Sequence, residues 1–199
     1  KRLEILLRIC AGSQFLADLL FQNPDFFSEV TDPGKIHIPM GREEYAAELS
    51  SIREELREAP QEWRSGLRRF RNRHILRIGS RDICYGAPLE EVTAELSGLA
   101  EAVIENALEF RMEEIVETEG LPFEEGICIL AFGKLGGGEL NYSSDIDLVV
   151  LYDGEKSRAG LDDEERRRTH LRRLVRRFRG DIADITEDGF AYRVDFRLR

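Results

Sequence analysis

Over residues 1–119 the apolar side chains recur at three- and four-residue spacing, the period of an α-helix with one buried face. Leu3, Leu6, Leu7 and Cys10 begin this pattern and Leu16, Leu19 and Leu20 continue it, predicting a first helix that ends near Asn23-Pro24. Residues 31–41, with Asp32-Pro33-Gly34 and Pro39, read as an irregular connection. A polar helix follows over residues 43–58. The next starts at about Gln61 and turns Trp63, Leu67, Phe70, Ile75 and Ile78 inward, the intervening positions being largely arginine. Pro88 opens a long helix with Leu89, Val92, Leu96, Leu99, Val103, Leu108, Met112 and Ile115 along a drifting apolar stripe and glutamates on the other side. Gly120 and Pro122 close it.

After Gly120 the period changes. Residues 127–132 and 146–152 are continuous apolar runs of strand length, separated by a glycine-rich turn. Residues 162–185 return to helix, with Leu171, Leu174, Val175, Phe178, Ile182 and Ile185 inward and most of the arginines outward. Asp162, Asp163, Glu164 and Glu165 stand at its start, where the helix dipole favours negative charge. Residues 190–198 read as a third strand. The pattern gives an α+β protein: an N-terminal helical bundle over residues 1–120, then a small mixed-sheet domain over residues 121–199. The chain opens on Lys1 and stops at Arg199 inside the third strand, so it reads as a piece of a longer polypeptide.

Composition narrows the function classes. A formal net charge of -10 disfavours a protein that tracks nucleic-acid phosphates, which needs a basic face. The arginines crowded into residues 64–81 and 166–179 read mainly as solvated helix faces, the second cluster being also a candidate anion-binding surface. No apolar run approaches the roughly 20 residues of a membrane span. Cys10, Cys84 and Cys128 are odd in number, far apart and set among apolar neighbours, which suggests neither a disulfide framework nor a metal cluster and fits a reducing, cytoplasmic setting. His37, His74 and His170 show no ligand spacing.

The candidate chemistry lies in the second apolar run. Side chains at i and i+2 of a strand share a face, so Asp145 and Asp147 are expected to project together at its head. Two such like charges are tolerable around a divalent cation, and Mg²⁺ takes one or two carboxylates plus substrate phosphate; Mn²⁺ accepts the same ligands. In the third strand Arg193, Asp195, Arg197 and Arg199 alternate with Val194, Phe196 and Leu198. Asp195 thus offers a third carboxylate for a two-metal phosphoryl-transfer site, with Arg193 and Arg197 placed to hold phosphate oxygens. An isolated Asp-x-Asp reads most simply as a turn, a helix cap or a surface calcium ligand, but this one leads into an apolar strand and follows Gly133, Gly136, Gly137 and Gly138. Those glycines permit backbone N–H groups to approach a phosphate, and a short helix over residues 139–142 would add its dipole. Lys134 and Ser144 are further candidate phosphate contacts. The stretch matches neither a Walker A loop nor a dinucleotide fingerprint.

Strand, glycine turn, strand with Asp-x-Asp, helix, strand with Asp is the plan of the DNA polymerase β-like nucleotidyltransferases. The wording goes further: FGKLGGGELNYSSDIDLVVLYD followed by EDGFAYRVDFRLR resembles the bacterial glutamine synthetase adenylyltransferases, also called glutamate-ammonia-ligase adenylyltransferases. LRRFRNRHILRIGSRD with AELSGLAEAVIENAL is similar to the helical segment this family places before each catalytic domain. The family carries two such domains, one removing AMP from glutamine synthetase and one attaching it, and ELNYSSDIDL and GFAYRVDFRLR look like the removing half. The resemblance implies phosphorolysis of adenylyl-tyrosine to give ADP, with Asp145, Asp147 and Asp195 as metal ligands and Gly133 and Ser144 in the phosphate-facing turn. It also implies glutamine synthetase as protein substrate and a PII-type nitrogen-signalling partner for the full-length enzyme. Two other readings stay open: the ATP-using attaching half, and a catalytically idle module that binds nucleotide or a partner.

Overall fold

A computed structural model describes residues 1–119, 127–152 and 161–198. Its elements in order are α1 (Arg2–Gly12), α2 (Gln14–Gln22), α3 (Phe27–Val30), α4 (Pro33–Ile36), α5 (Arg42–Glu55), α6 (Trp63–Tyr85), α7 (Leu89–Glu119), β1 (Ile127–Phe132), α8 (Gly133–Gly136), β2 (Ile146–Tyr152), α9 (Leu161–Ala183) and β3 (Val194–Leu198). The fold is α+β, a helical array joined to a three-stranded mixed sheet. Among the described residues no helix is long and apolar enough to cross a membrane.

The first helical pattern is two helices rather than one. Ser13 sits in extended backbone (φ −154°, ψ 116°) and its hydroxyl accepts from the Leu16 N–H, so a serine that fits the apolar period caps α2 and breaks the chain direction. The irregular connection holds a short helix, α4, whose start Asp32 caps through the Gly34 N–H, with Pro33 preset for the first turn. Gly120 and Pro122, expected to close α7, and the residues flanking α9's first turn lie outside the described residues or their side chains do.

Helix α6 departs most from its pattern. From Phe70 to Arg81 every residue except Arg73 is buried, including Arg71, Arg77 and Arg81, and Arg68 before them is buried too, so these arginines expected on an outer face lie inside. The helix is central: α1, α2, α3, α5 and α7 all pack on it. Trp63 stacks on Phe110 of α7 at 4.5 Å, and Arg77 and Arg81 converge on Glu95 of the same helix. Helix α5 lies along α7 in the same direction, Arg42 pairing with Glu101 and Glu105, Arg53 with Glu109 and Glu113, and Arg57 with Glu117. The pairs of Arg42 and Arg57, exposed on both sides, each contribute at most about 1 kcal/mol.

His74 of α6 gives the fold a pH dependence. It is buried, its Nε2 meets Glu48 Oε2 of α5 at 2.9 Å, and its Nδ1 has no hydrogen-bond partner. Burial pulls its pKa below the ordinary value, against the opposing pull of Glu48. The unfolded chain therefore takes up a proton near pH ~6.5 that the folded chain refuses, and stability declines as pH falls below that value. Denaturant unfolding at pH 8 and pH 5.5 should show this loss, and a His74→Gln variant should show a smaller one.

The sheet has strand order β1-β2-β3, with β1 antiparallel and β3 parallel to β2. Both apolar runs become strands at the bounds read from the sequence. Ile146, Leu148 and Val150 point into a core shared with the helices, as do Val194 and Phe196 beside them in register. Phe196 meets Phe178 of α9 edge-on at 5.7 Å. The other sheet face carries Cys128, Leu130 and Phe132, all exposed.

Helix α9 is tied down by Asp181, whose buried carboxylate takes Nε and Nη2 of Arg111 (α7) at 2.6 and 2.7 Å and Nε of Arg64 (α6) at 3.0 Å. Beyond α9, the backbone N–H groups of Ala191 and Tyr192 both donate to Ile182 O, and the Arg68 guanidinium donates to the carbonyls of Gly189, Asp184 and Arg64. Buried charge and hydrogen bonds thus fix where β3 begins.

Candidate active site

Asp147 and Asp195 face one another in register on adjacent parallel strands, which in such a pair puts both side chains on the same sheet face. Adjacent strands run about 4.8 Å apart, so two ionised carboxylates there repel strongly unless a cation or donor sits between them. On the other side Asp147 pairs with Phe132, a residue 51% exposed. Asp147 is half-buried and Asp195 exposed.

Asp145 lies just before β2 and is already engaged. Its Oδ1 is 2.7 Å from Arg193 Nε, and Arg193 Nη2 donates to Ser143 O at 2.7 Å. Arg193, expected to hold phosphate, here bridges the carboxylate and the loop before it. The register of β3 sets Arg197 beside Val149, and its side chain lies outside what is described. Lys134 sits exposed on α8.

The turn between β1 and β2 differs from expectation. The short helix occupies Gly133–Gly136 rather than residues 139–142. The N–H groups of Gly137, Gly138 and Glu139 donate back to Gly133, Leu135 and Lys134, so they are spent inside the turn instead of being free to cradle a phosphate. The glycines serve close packing. Gly133 has φ +60°, and a Cβ there would stand 2.9 Å from Asp147 Oδ2; at Gly136 a Cβ would stand 2.5 Å from Ala131 O. Gly133→Ala should therefore cost about 1–2 kcal/mol of stability from its left-handed backbone and push the Asp147 carboxylate aside. A shift of about 1 Å in a catalytic carboxylate would lower turnover by roughly 10²-fold. Steady-state kinetics beside a thermal melt would separate the two effects.

The loop after the turn is held by contacts that sequence spacing did not single out. Asn141 Oδ1 accepts from Ser143 N and from the hydroxyls of Ser144 and Ser143, an Asx turn that Asn followed two residues on by serine does signal. Ser144 thus gives its proton to Asn141 at 2.6 Å and faces a ligand only as an acceptor. Leu140 is buried, with its N–H on Ser97 Oγ of α7. Tyr142 donates to Asp82 of α6 at 3.1 Å, and burial together with that carboxylate pushes its phenol far above the ordinary range. Nothing in the spacing of α6 or α7 marks Ser97 or Asp82 as partners of this loop.

Among the described residues no group of three or more His, Cys, Asp or Glu side chains converges closely enough to hold a metal ion unaided. The donor set nonetheless suits a hard cation. Asp147 and Asp195 are oxygen ligands in register, and Asp145 joins them if Arg193 exchanges its carboxylate for a substrate phosphate. The arrangement brings together Asp147 and Asp195, and separately Asp145, Arg193 and the serine loop.

A model of the glutamate-ammonia ligase adenylyltransferase family matches residues 3–199. The bifunctional glutamine synthetase adenylyltransferase/adenylyl-removing enzyme of Thioalkalivibrio sulfidiphilus (strain HL-EbGR7) is 35% identical over 207 aligned residues, covering 98% of this chain. The chain spans 20% of that relative's length.

Proposed function

The chain belongs to the glutamate-ammonia ligase adenylyltransferase family, and from that premise we propose that it carries a metal-dependent nucleotidyl-transfer site acting on glutamine synthetase, in the direction that removes AMP. The supporting observation is the in-register pair of Asp147 and Asp195, with Gly133 packed against the Asp147 carboxylate. Direction rests on the wording ELNYSSDIDL and GFAYRVDFRLR, which resembles the removing half.

In this reading inorganic phosphate attacks the phosphorus of AMP on adenylyl-tyrosine. A new P–O bond forms, the bond to the tyrosine oxygen breaks, that oxygen regains a proton, and ADP is released. Asp145, Asp147 and Asp195 would hold Mg²⁺ or Mn²⁺, which supplies charge for the pentacoordinate phosphorus and the leaving oxygen. The register of β2 and β3, which sets Asp147 beside Asp195, and Gly133, which leaves room for the Asp147 carboxylate, support this reading. Arg193, drawn from Asp145 by a phosphate, would grip its oxygens. Lys134 adds an exposed positive charge, and the exposed Phe132 offers a ring on which adenine would stack. A PII-type regulator and a cytoplasmic setting belong to the same reading.

The test uses the enzyme that contains this chain. Incubated with adenylylated glutamine synthetase, phosphate and Mg²⁺, its site should release ADP; pyrophosphate from ATP at this site would instead assign the attaching direction. Calorimetry that detects no divalent-cation binding, with or without nucleotide, would favour an idle binding module.

A further inference from the structure

Four arginines of α6 are buried, and three have fixed partners. Arg77 and Arg81 share Glu95, and Arg68 is spent on three carbonyls. Arg71 is different. It is 8% exposed, its Nη1 donates to Asn72 Oδ1 at 3.1 Å, and it has no ion pair among the described residues. Its Nε finds no hydrogen-bond partner. The guanidinium carbon lies 5.2 Å from the centroid of the Tyr192 ring, and the Tyr192 hydroxyl, 5% exposed as a residue, is also without a hydrogen bond. The Arg71 charge opposes the upward push that burial gives this phenol, although the two groups miss hydrogen-bonding geometry. A buried cation with no counter-charge beside an orphaned hydroxyl is an expensive arrangement for an empty fold.

Both orphans line one cleft of about 490 Å³ between α2 and α6 on one side and the Asn141–Ser144 loop and the 186–190 turn on the other. Arg193, which holds Asp145, lines it too. Its rim carries the carboxylates of Asp18, Glu187 and Asp188, all exposed. Solvent-facing carboxylates are screened within about 8–10 Å, whereas the Arg71 charge sits at the inner end in a poorer dielectric. They disfavour an extended polyanion such as nucleic acid and leave room for a small one.

We propose that Arg71 and Tyr192, with Asn72 beside them, form a binding site for a small phosphate-type oxyanion next to the Asp145 loop. The charge-assisted donors of Arg71 bind the oxyanion, the Tyr192 hydroxyl gives it a further hydrogen bond, and Arg193 links this subsite to Asp145. That inorganic phosphate fills it as the attacking co-substrate rests on the AMP-removing reading; the anion site itself does not. The other source of the same chemistry is the phosphoryl group of AMP.

The experiment is calorimetric titration of the enzyme containing this chain, with chelator present, using inorganic phosphate in one arm and AMP in the other. With the chelator present, phosphate should bind the parent protein without any metal ion. Arg71→Gln should weaken it by roughly tenfold or more, since two or more charge-assisted bonds are lost. Tyr192→Phe removes an unpaired hydroxyl, which leaves the unliganded fold intact, and should weaken phosphate several-fold. It is the deciding variant if circular dichroism shows Arg71→Gln to be unfolded. AMP binding that falls in these variants while phosphate binding does not would assign the subsite to the nucleotide's phosphoryl group. Unchanged affinity for both probes in folded Arg71→Gln and in Tyr192→Phe, or no binding of either probe to the parent, overturns the proposal. Phosphate binding that behaves as expected in an enzyme that releases no ADP leaves the anion site standing and removes only the direction of chemistry.

Discussion

Asp145→Asn together with Asp147→Asn should lower ADP release from adenylylated glutamine synthetase by roughly 10³-fold or more, because metal-borne charge stabilisation is worth several kcal/mol and each 1.36 kcal/mol is tenfold in rate. An amide at either position keeps the side-chain volume beside Gly133 and Arg193 but supplies neither a formal negative charge nor a second strong metal donor. The fold should tolerate the change. Asp145 is largely exposed, and loss of its ion pair with Arg193 removes at most about 1 kcal/mol. Asn at 147 relieves repulsion from Asp195, its neighbour in register. A double variant with an unaltered melt and no turnover is the expected result. Turnover that survives at the parent rate would take the chemistry away from these carboxylates.

Glu95→Ala should be the most damaging single change to the fold. The residue is 2% exposed and its carboxylate serves four groups: the Met40 N–H at 2.9 Å, the Tyr45 hydroxyl at 3.4 Å, Arg77 at 2.7 Å and Arg81. Truncation leaves two guanidinium groups buried without that counter-charge, a situation that costs about 3–5 kcal/mol. For a chain of this size the melting temperature should fall by on the order of 10 °C. Glu105→Ala provides the contrast, since its pair with Arg42 is exposed and should shift stability by less than about 1 kcal/mol. Equal losses in the two variants would mean that the Glu95 cluster does not hold α5, α6 and α7 together. Arg81 also pairs with Glu91, which moderates the loss without covering Arg77.

The two glutamates also mark how far pattern reading reaches. Both stand in α7, whose glutamates were expected opposite the apolar stripe, and Glu105 does lie there, partly exposed and paired with α5. Glu95 does not, because the helix that crosses it brings arginines rather than leucines. Periodicity sorts residues by polarity. It cannot distinguish a polar side chain facing water from one facing an opposite charge. In the same way Ser13 fits a continuous helical spacing, yet its hydroxyl caps a second helix, a choice made by the contact of both helices with α6.

What the sequence determined alone is the α+β class, the bounds of the first two strands, and the placing of Asp147 and Asp195 on two different apolar strands, whose register only the structure fixes. These follow from local rules: a period of two or 3.6, and glycine where φ must be positive. Only the tertiary structure decided that Asp145 turns to Arg193, that Gly133 makes room for Asp147 while the turn's own carbonyls take the N–H groups of residues 137–139, and that Arg71 comes to lie beside Tyr192. Each of these depends on side chains or backbone groups brought together by the folding of distant elements or by the closure of a turn, where competing partners of equal chemistry are available and geometry alone selects one.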